Sequence, residues 1–321
     1  MSDLKCSIFD NLTQDTGLWT KQVSSLQDQT DEILHQGYLL KSCKRRKKYT
    51  SRYFVLTSTK LLYTKKPEST TIYRSLDLKW ARVCYETCAY NGRPHYVIKF
   101  VNNSKYSNLI LEDVREYEVW RRHLLNVCVQ TNFKERFVPV GELGHGGFSS
   151  VYLALSREEG NRYAVKAYNK AALNEQPNLV LMLLSEIRIL RQLEHTNIVK
   201  LYEVHESSNA VYLIMEHVQG NDLLAWINER HRFTETEVAL VANKLLHTLA
   251  YLSSKDVIHR DIKPGNIMLV KNSRGDVSDI KLVDFGLAKL TNEHDQYQVC
   301  GTPGYIAPEV LRRSRSSSNV T

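Results

Sequence analysis

The chain has 321 residues and a formal charge of +8, with 42% hydrophobic and 24% charged residues. That length allows two domains that each bury a core, and the balance excludes wholesale disorder. No apolar run approaches the roughly 18–20 residues needed to cross a bilayer, and the opening "MSDLKCSIFDNLTQDTG" lacks the basic and apolar regions of a secretory signal.

Cysteines stand at positions 6, 43, 84, 88, 128 and 300, with no C-x-x-C pair, so reduced cytosolic thiols are expected rather than a zinc site or a disulfide framework. Charge is unevenly spread: about −4 over 1–32, about +12 over 33–133 and about −1 over 137–321. A basic module joined to a near-neutral one implies an anionic partner for the first, either nucleic acid or an anionic lipid face.

Residues 1–32 show no motif and read as an acidic, mobile lead-in. From Gly37 the short β-rich runs "GYLLK", "RYFVLT" and "KLLYTK" alternate with polar turns, as in a meander. "SLDLKWARVCYE" and "HYVIKFV" are again strand-like, with "NGRP" as a turn between strands. The period then changes. In "DVREYEVWRRHLLNVCV", Tyr117, Trp120, Leu124 and Val127 recur at spacings of three and four, one apolar stripe on a helix.

Strands in series closed by one amphipathic helix with a central Trp resemble the pleckstrin-homology (PH) domain, over 33–131. The resemblance implies an antiparallel barrel capped by its C-terminal helix, and a site for phosphoinositide head groups. Lys41, the loop Lys44, Arg45, Arg46, Lys47 and Lys48, and Arg52 match its basic positions, and several convergent cations suit phosphates. Thr50 stands where lipid-binding members carry a further basic residue. A solvated loop tip would have the same composition, so both readings stand. Nucleic acid ranks behind, because no recognition helix or aromatic platform accompanies the loop.

After a linker at 132–136, a second module begins at Phe137. Gly144, Gly146 and Gly147 lie between two strand-like runs, a hairpin loop whose amides can approach phosphate oxygens. "RYAVKAY" follows with Lys166, and "LMLLSEIRILRQL" places Leu183, Ile187 and Leu190 on a helical stripe beside Glu186. A lysine inside an apolar strand is costly unless paired, and Glu186 is the expected partner. "TETEVALVANKLLHTLAYL" opens with a Thr234-x-x-Glu237 capping box.

"GHGGFSSV", "YAVK", Glu186, "HRDIKPGN", "DFG" at 284–286 and "APE" at 307–309, in this order, resemble the protein-kinase signature set. "HRDIK" and "GTPGYIAPE" resemble its Ser/Thr branch, nearest to the calcium/calmodulin- and cyclic-nucleotide-dependent groups. The resemblance covers 137–321 and implies a bilobal fold, with a small lobe at 137–218 and part of a large lobe at 219–321. The whole is expected to be an α+β multidomain chain. ATP and Mg²⁺ are the implied cofactors, and proteins with Ser/Thr acceptors the implied substrates.

By the same resemblance Gly144, His145, Gly146, Gly147, Phe148 and Ser149 would cover the triphosphate, and Lys166, held by Glu186, would bind the α- and β-phosphates. Asn266 and Asp284 would hold Mg²⁺, an ion suited to oxygen ligands. Asp261 would orient the acceptor hydroxyl, Lys263 would neutralise charge on the moving phosphoryl group, and Thr302 would brace both. Val151, Ala164 and Met268 match the positions that sandwich adenine, and Glu216 and Val218 those whose backbone contacts it; plain core packing would also explain the first three. Ser149 replaces the third loop glycine. Gly265 stands where basic-substrate members carry Glu, while Asp222 keeps one acidic position. Arg260 implies an activation-loop phosphate, yet Gln298 occupies the slot two before Cys300.

After Glu309 the sequence runs "VLRRSRSSSNVT" and stops, where the family continues into further helices. The expectation is an incomplete large lobe. Either the complete protein is a Ser/Thr kinase, cytoplasmic and recruited to the inner membrane surface, or this form is catalytically weak and acts through lipid or protein contacts.

Overall fold

The computed structural model describes residues 7–10, 18–25, 31–43, 48–67, 69, 71–90, 92–102, 105–230, 232–291 and 300–317. The chain forms two compact units. One comprises Met1–Asn161, Val165–Asn174 and Tyr202–Ile214; the other comprises Arg162–Ala164, Glu175–Leu201 and Met215–Thr321.

In the first unit come strands β1 (Thr20–Ser25), β2 (Ile33–Cys43), β3 (Lys48–Thr57), β4 (Lys60–Thr64), β5 (Thr71–Asp77), β6 (Arg82–Tyr90), β7 (Arg93–Asn102) and β8 (Lys105–Leu111), then helix α1 (Val114–Val127). They lie in the order β1-β5-β4-β3-β2-β8-β7-β6, each pair antiparallel. Period-two alternation sends Leu39, Phe54, Leu56, Leu61, Leu76, Val83, Ile98, Phe100 and Leu109 into one core. Asp113 caps α1 by accepting from the Arg115 N–H at 2.8 Å. The predicted stripe follows: Tyr117, Trp120 and Leu124 are buried in the strand core, with Val127 packed partly against it.

Three features differ from expectation. The segment read as a mobile lead-in contributes β1, which pairs with β5, and Ser7–Asp10, where Phe9 is buried and stacks on Trp80 at 5.4 Å. "SLDLKWARVCYE" divides into β5 and β6, because the Asp77 carboxylate accepts from the Lys79 N–H at 2.8 Å and turns the chain. The linker is a helix, α2 (Phe133–Arg136), preceded by a two-residue strand, β9 (Val129–Gln130).

Strands β10 (Phe137–His145), β11 (Ser149–Ser156), β12 (Arg162–Asn169), β13 (Leu201–Glu206) and β14 (Ala210–Glu216) continue the same sheet, in the order β6-β9-β13-β14-β12-β11-β10. β9 is the seam. Its Val129 and Gln130 pair in parallel with Arg82 and Val83 on one side and with Val204 and His205 on the other. Phe133 of α2 stacks on Tyr212 at 3.9 Å and lies beside Phe137 and His205.

His205 is fully buried here, and burial pushes its pKa below 6.5 although Glu203, 2.7 Å away, pulls the other way. The folded state therefore binds this proton less readily than the unfolded chain, so stability should fall as pH drops below about 6.5. His123, His195 and His217 are lowered too and add to the slope. Thermal melts at pH 7.5 and 5.5 should show a smaller pH-induced loss in His205→Gln than in the parent. An equal loss would mean that His205 does not contribute.

In the second unit α4 (Pro177–Gln192) buries Leu183, Ile187 and Leu190 together with Glu186. Helix α5 (Leu223–Arg230) precedes α6 (Glu235–Ser254), whose predicted capping box is present: the Glu237 N–H donates to Thr234 Oγ1 at 3.2 Å and the Thr234 N–H to the Glu237 carboxylate at 2.9 Å. Two short antiparallel pairs frame the loops that matter. β15 (Val257–Ile258) pairs with β18 (Lys289–Leu290), and β16 (Ile267–Lys271) with β17 (Val277–Leu282). Helix α7 (Pro308–Ser317) ends the described chain. Among the described residues no helix is long and apolar enough to cross a membrane, and no three or more His, Cys, Asp or Glu side chains gather as a metal cluster.

Candidate active site

Residues 259–266 leave β15 and enter β16, with a single 3-10 turn at Pro264–Asn266. Asp261 is 7% exposed. Its Oδ1 accepts from the Thr302 N–H at 2.9 Å and the Thr302 hydroxyl at 2.7 Å; Oδ2 accepts from the Asn266 amide at 3.0 Å and lies 2.9 Å from Lys263 Nζ. Lys263 also donates to Thr302 Oγ1 at 2.7 Å. Burial alone would raise the Asp261 pKa, but bonds from Lys263 and Thr302 hold it below 3.8, so the group is a carboxylate at neutral pH.

Gly301 lets Thr302 approach. Its φ is +119°, and a Cβ there would meet the Arg260 carbonyl oxygen at 2.9 Å. Asn266 Nδ2 is spent on Asp261, on its carbonyl at 2.9 Å as well as its carboxylate, which leaves Oδ1 as the atom able to bind a hard cation. Arg260 and Asp284 sit at φ 67° and 59°, strained positions for residues with a Cβ. The Asp284 side chain is exposed, and Phe285 next to it is fully buried. Asp284 Oδ1 accepts from the Gly286 N–H at 3.3 Å.

Sequence reasoning missed His259, which joins these two loops. Its Nε2 lies 3.2 Å from the Val283 carbonyl, its Nδ1 accepts from the Asp261 N–H at 3.3 Å, and its ring packs on Phe285. The signal was there, a histidine two before the acid, but nothing local marks it as a brace. Ser185, beside Glu186, was missed as well; it donates to the Ala288 carbonyl at 3.1 Å and ties α4 to the segment after Phe285. Arg260 Nε donates to the Leu287 carbonyl at 2.7 Å, while its buried Nη1 has no partner among the described residues. Residues 292–299, where an activating phosphate would be sought, lie outside them.

Still in the second unit, Glu216 donates its N–H to the Lys200 carbonyl at 2.9 Å, and its carboxylate takes the Lys281 ammonium at 2.7 Å. Met268 bridges to Asp222 just beyond Val218. The first unit holds the glycine loop: β10 and β11 pair from Phe137↔Ser156 to His145↔Ser150, and the Gly146 N–H bonds the Ser149 carbonyl at 2.8 Å. His145, Gly147 and Phe148 are exposed at its tip, with Phe148 at 50%. Val151 on β11 and Ala164 on β12 are half-buried, and Lys166 on β12 is buried. Glu186 belongs to the second unit, on α4.

Of the basic positions in the first module, Lys41 holds its ammonium over the rings of Trp19 and Tyr63, at 3.8 and 4.4 Å. Arg52 donates to the Ser51 carbonyl at 3.1 Å. Lys48 begins β3, and Lys44, Arg45, Arg46 and Lys47 lie outside the described residues.

A glycine hairpin, a buried strand lysine and a braced Asp–Lys–Asn loop followed by Asp-Phe-Gly are the parts of the protein-kinase fold. Comparison with known families agrees: the protein kinase domain matches residues 137–321 and the PH domain matches 33–129, so the chain belongs to the protein kinase family and carries a PH domain ahead of it. It is 42% identical over 171 residues to serine/threonine-protein kinase DCLK3 of Mus musculus, covering 53% of this chain and 21% of that one. It is 36% identical over 194 residues to calcium/calmodulin-dependent protein kinase type 1 of Caenorhabditis briggsae, covering 60% and 53%. With myosin light chain kinase A of Dictyostelium discoideum it shares 37% over 171 residues, covering 53% and 57%. The chain thus spans from about a fifth to under three fifths of these relatives' lengths.

Proposed function

We propose that this protein phosphorylates Ser or Thr hydroxyls of other proteins with ATP and Mg²⁺. The observation that carries the reading is Asp261, a carboxylate fixed by Lys263, Thr302 and Asn266 in the loop between β15 and β16. The donor set fits the nucleotide–metal pair: Asn266 Oδ1 and the exposed Asp284 are hard oxygen ligands, and Lys166 is a cation on the strand after a glycine loop. Bound ATP would supply the phosphoryl group, and Mg²⁺ would neutralise its charge. Asp261 orients the acceptor hydroxyl and takes its proton. Lys263 balances charge where the group moves, and Thr302 keeps both in place. By their match to the family's motifs, Glu186 would be the anionic partner of Lys166, the backbones of Glu216 and Val218 would receive the adenine edge, and Val151, Ala164 and Met268 would line it.

Calorimetry with a non-hydrolysable ATP analogue tests this. Binding should depend on Mg²⁺, weaken about tenfold or more in Lys166→Met, and lose its Mg²⁺ dependence in Asp284→Asn. No binding by the parent chain in the presence of Mg²⁺ would overturn the reading.

One observation favours a catalytically weak form as a second reading: helix α6, which packs on β15 and β17, leaves Val238 and Leu246 exposed, at 54% and 66%. For the PH domain we infer a role in bringing a cytoplasmic protein to anionic phosphoinositides at the inner membrane surface, through Lys41, Lys44–Lys48 and Arg52. Sedimentation with phosphatidylcholine vesicles with and without about 5% phosphoinositide checks it. Binding should need the anionic lipid and fail when Lys44–Lys48 become Ala; equal binding to neutral vesicles would remove the lipid role.

A further inference from the structure

We propose that Ser7–Asp10 is a releasable clasp that holds the PH domain on the kinase sheet and fixes the strand end beyond Lys166. The clasp completes a buried charge cluster drawn from three elements. Arg82 stands at the start of β6, Glu206 at the end of β13, and Lys170 opens helix α3 (Lys170–Glu175), four residues after Lys166. Their side chains are 2%, 3% and 8% exposed. Lys170 Nζ lies 3.1 Å from Glu206 Oε1, and Arg82 Nε lies 4.0 Å from Glu206 Oε2.

Residues 7–10 supply partners to both signs of this cluster. Asp10 adds a carboxylate, accepting from Arg82 Nη2 at 2.9 and 3.2 Å. Ser7 donates its hydroxyl to Glu206 Oε2 at 2.6 Å, and the Ile8 N–H donates to Oε1 at 3.0 Å. Phe9, 1% exposed, stacks on Trp80, two residues before Arg82. Buried charge in a low-dielectric setting is tolerated when balanced and costly when not. Removing the clasp therefore loads the cost onto Arg82 and Glu206, the residues that flank the β9 seam. The same loss loosens Lys170, hence the end of β12. The backbone pairing at the seam is only two residues on each side, so side-chain contacts such as Phe133 on Tyr212, together with the clasp, hold it. Release of one short segment thus loosens the joint between the PH domain and the kinase sheet, and its return tightens it.

The consequence for nucleotide binding rests on the function proposed above; the clasp itself does not, so the test reads it directly. Hydrogen exchange is compared in the parent, in a chain beginning at residue 18, and in Asp10→Asn. Amides of Val129–Gln130, Val204–Glu206 and α3 should exchange about tenfold faster in both variants, while those of β3 and β7 stay unchanged. Asp10→Glu should restore protection. A synthetic peptide of residues 1–17 should bind the shortened chain saturably and restore protection, and the same peptide with Phe9→Ala should not. Unchanged exchange at β9 and α3 in Asp10→Asn, or failure of the peptide to bind a folded shortened chain, would overturn the clasp. Slower ATP-analogue binding at unchanged Mg²⁺ dependence would extend it to Lys166; loss of nucleotide binding in the parent would touch only the function.

Discussion

Asp261→Asn should lower phosphoryl transfer by about 10²–10⁴-fold, or roughly 2.7–5.5 kcal/mol of transition-state stabilisation, while the chain still binds nucleotide. The substitution keeps the side chain's shape but not its acceptors. Oδ1 receives two donors from Thr302, and Oδ2 receives Asn266 and faces Lys263. Whichever way the new amide turns, an NH₂ group meets donors. Asn266 then loses the bond that aims its carbonyl oxygen, so the metal-dependent part of nucleotide affinity should weaken modestly as well. Single-turnover transfer to a Ser/Thr peptide with enzyme in excess, alongside calorimetry with and without Mg²⁺, separates the two effects. Transfer within about tenfold of the parent would show that Asp261 is not the group that handles the hydroxyl proton.

The kinase family could be read in the sequence because several short motifs stand in one order, from the glycine hairpin through "HRDIKPGN" and "DFG" to "APE", although each alone is common. The stripe Tyr117, Trp120 and Leu124 was readable for a different reason, since a helix with one buried face must repeat at three and four. What could not be read is long-range pairing of ordinary residues. Ser7 reaches Glu206 across 199 positions and Arg82 reaches Asp10 across 72, and no local pattern marks such partners. β9 escaped because two residues carry no periodicity. His259 escaped because its work is done by two hydrogen bonds and a ring contact, none of which leaves a trace in composition.

Trp120→Ala should cost about 3–5 kcal/mol, enough to remove most of the stability of a domain this size. Trp120 is 1% exposed and sits where α1 closes on the strand core, with His35 edge-on at 4.8 Å, and a Cβ at Gly37 would lie 3.8 Å from its indole. Burial of a tryptophan removes about 150–250 Å² from water, which at about 25 cal/mol per Å² is worth about 4–6 kcal/mol before any cavity term. The strands around it are hydrogen-bonded to their neighbours, which limits collapse into the gap, so little of the cost should be recovered by relaxation. Amide exchange in β2, β3, β7 and β8 should then approach the unfolded rate, and the melting transition of this half should fall by more than about 12 °C. Tyr38→Ala, at a site 57% exposed, is the control and should cost under about 1 kcal/mol. Because β6 passes its hydrogen bonds to β9, the same Trp120 variant should also speed exchange at Val129 and Gln130. A melting shift no larger than that of the control would mean that α1 does not close this core.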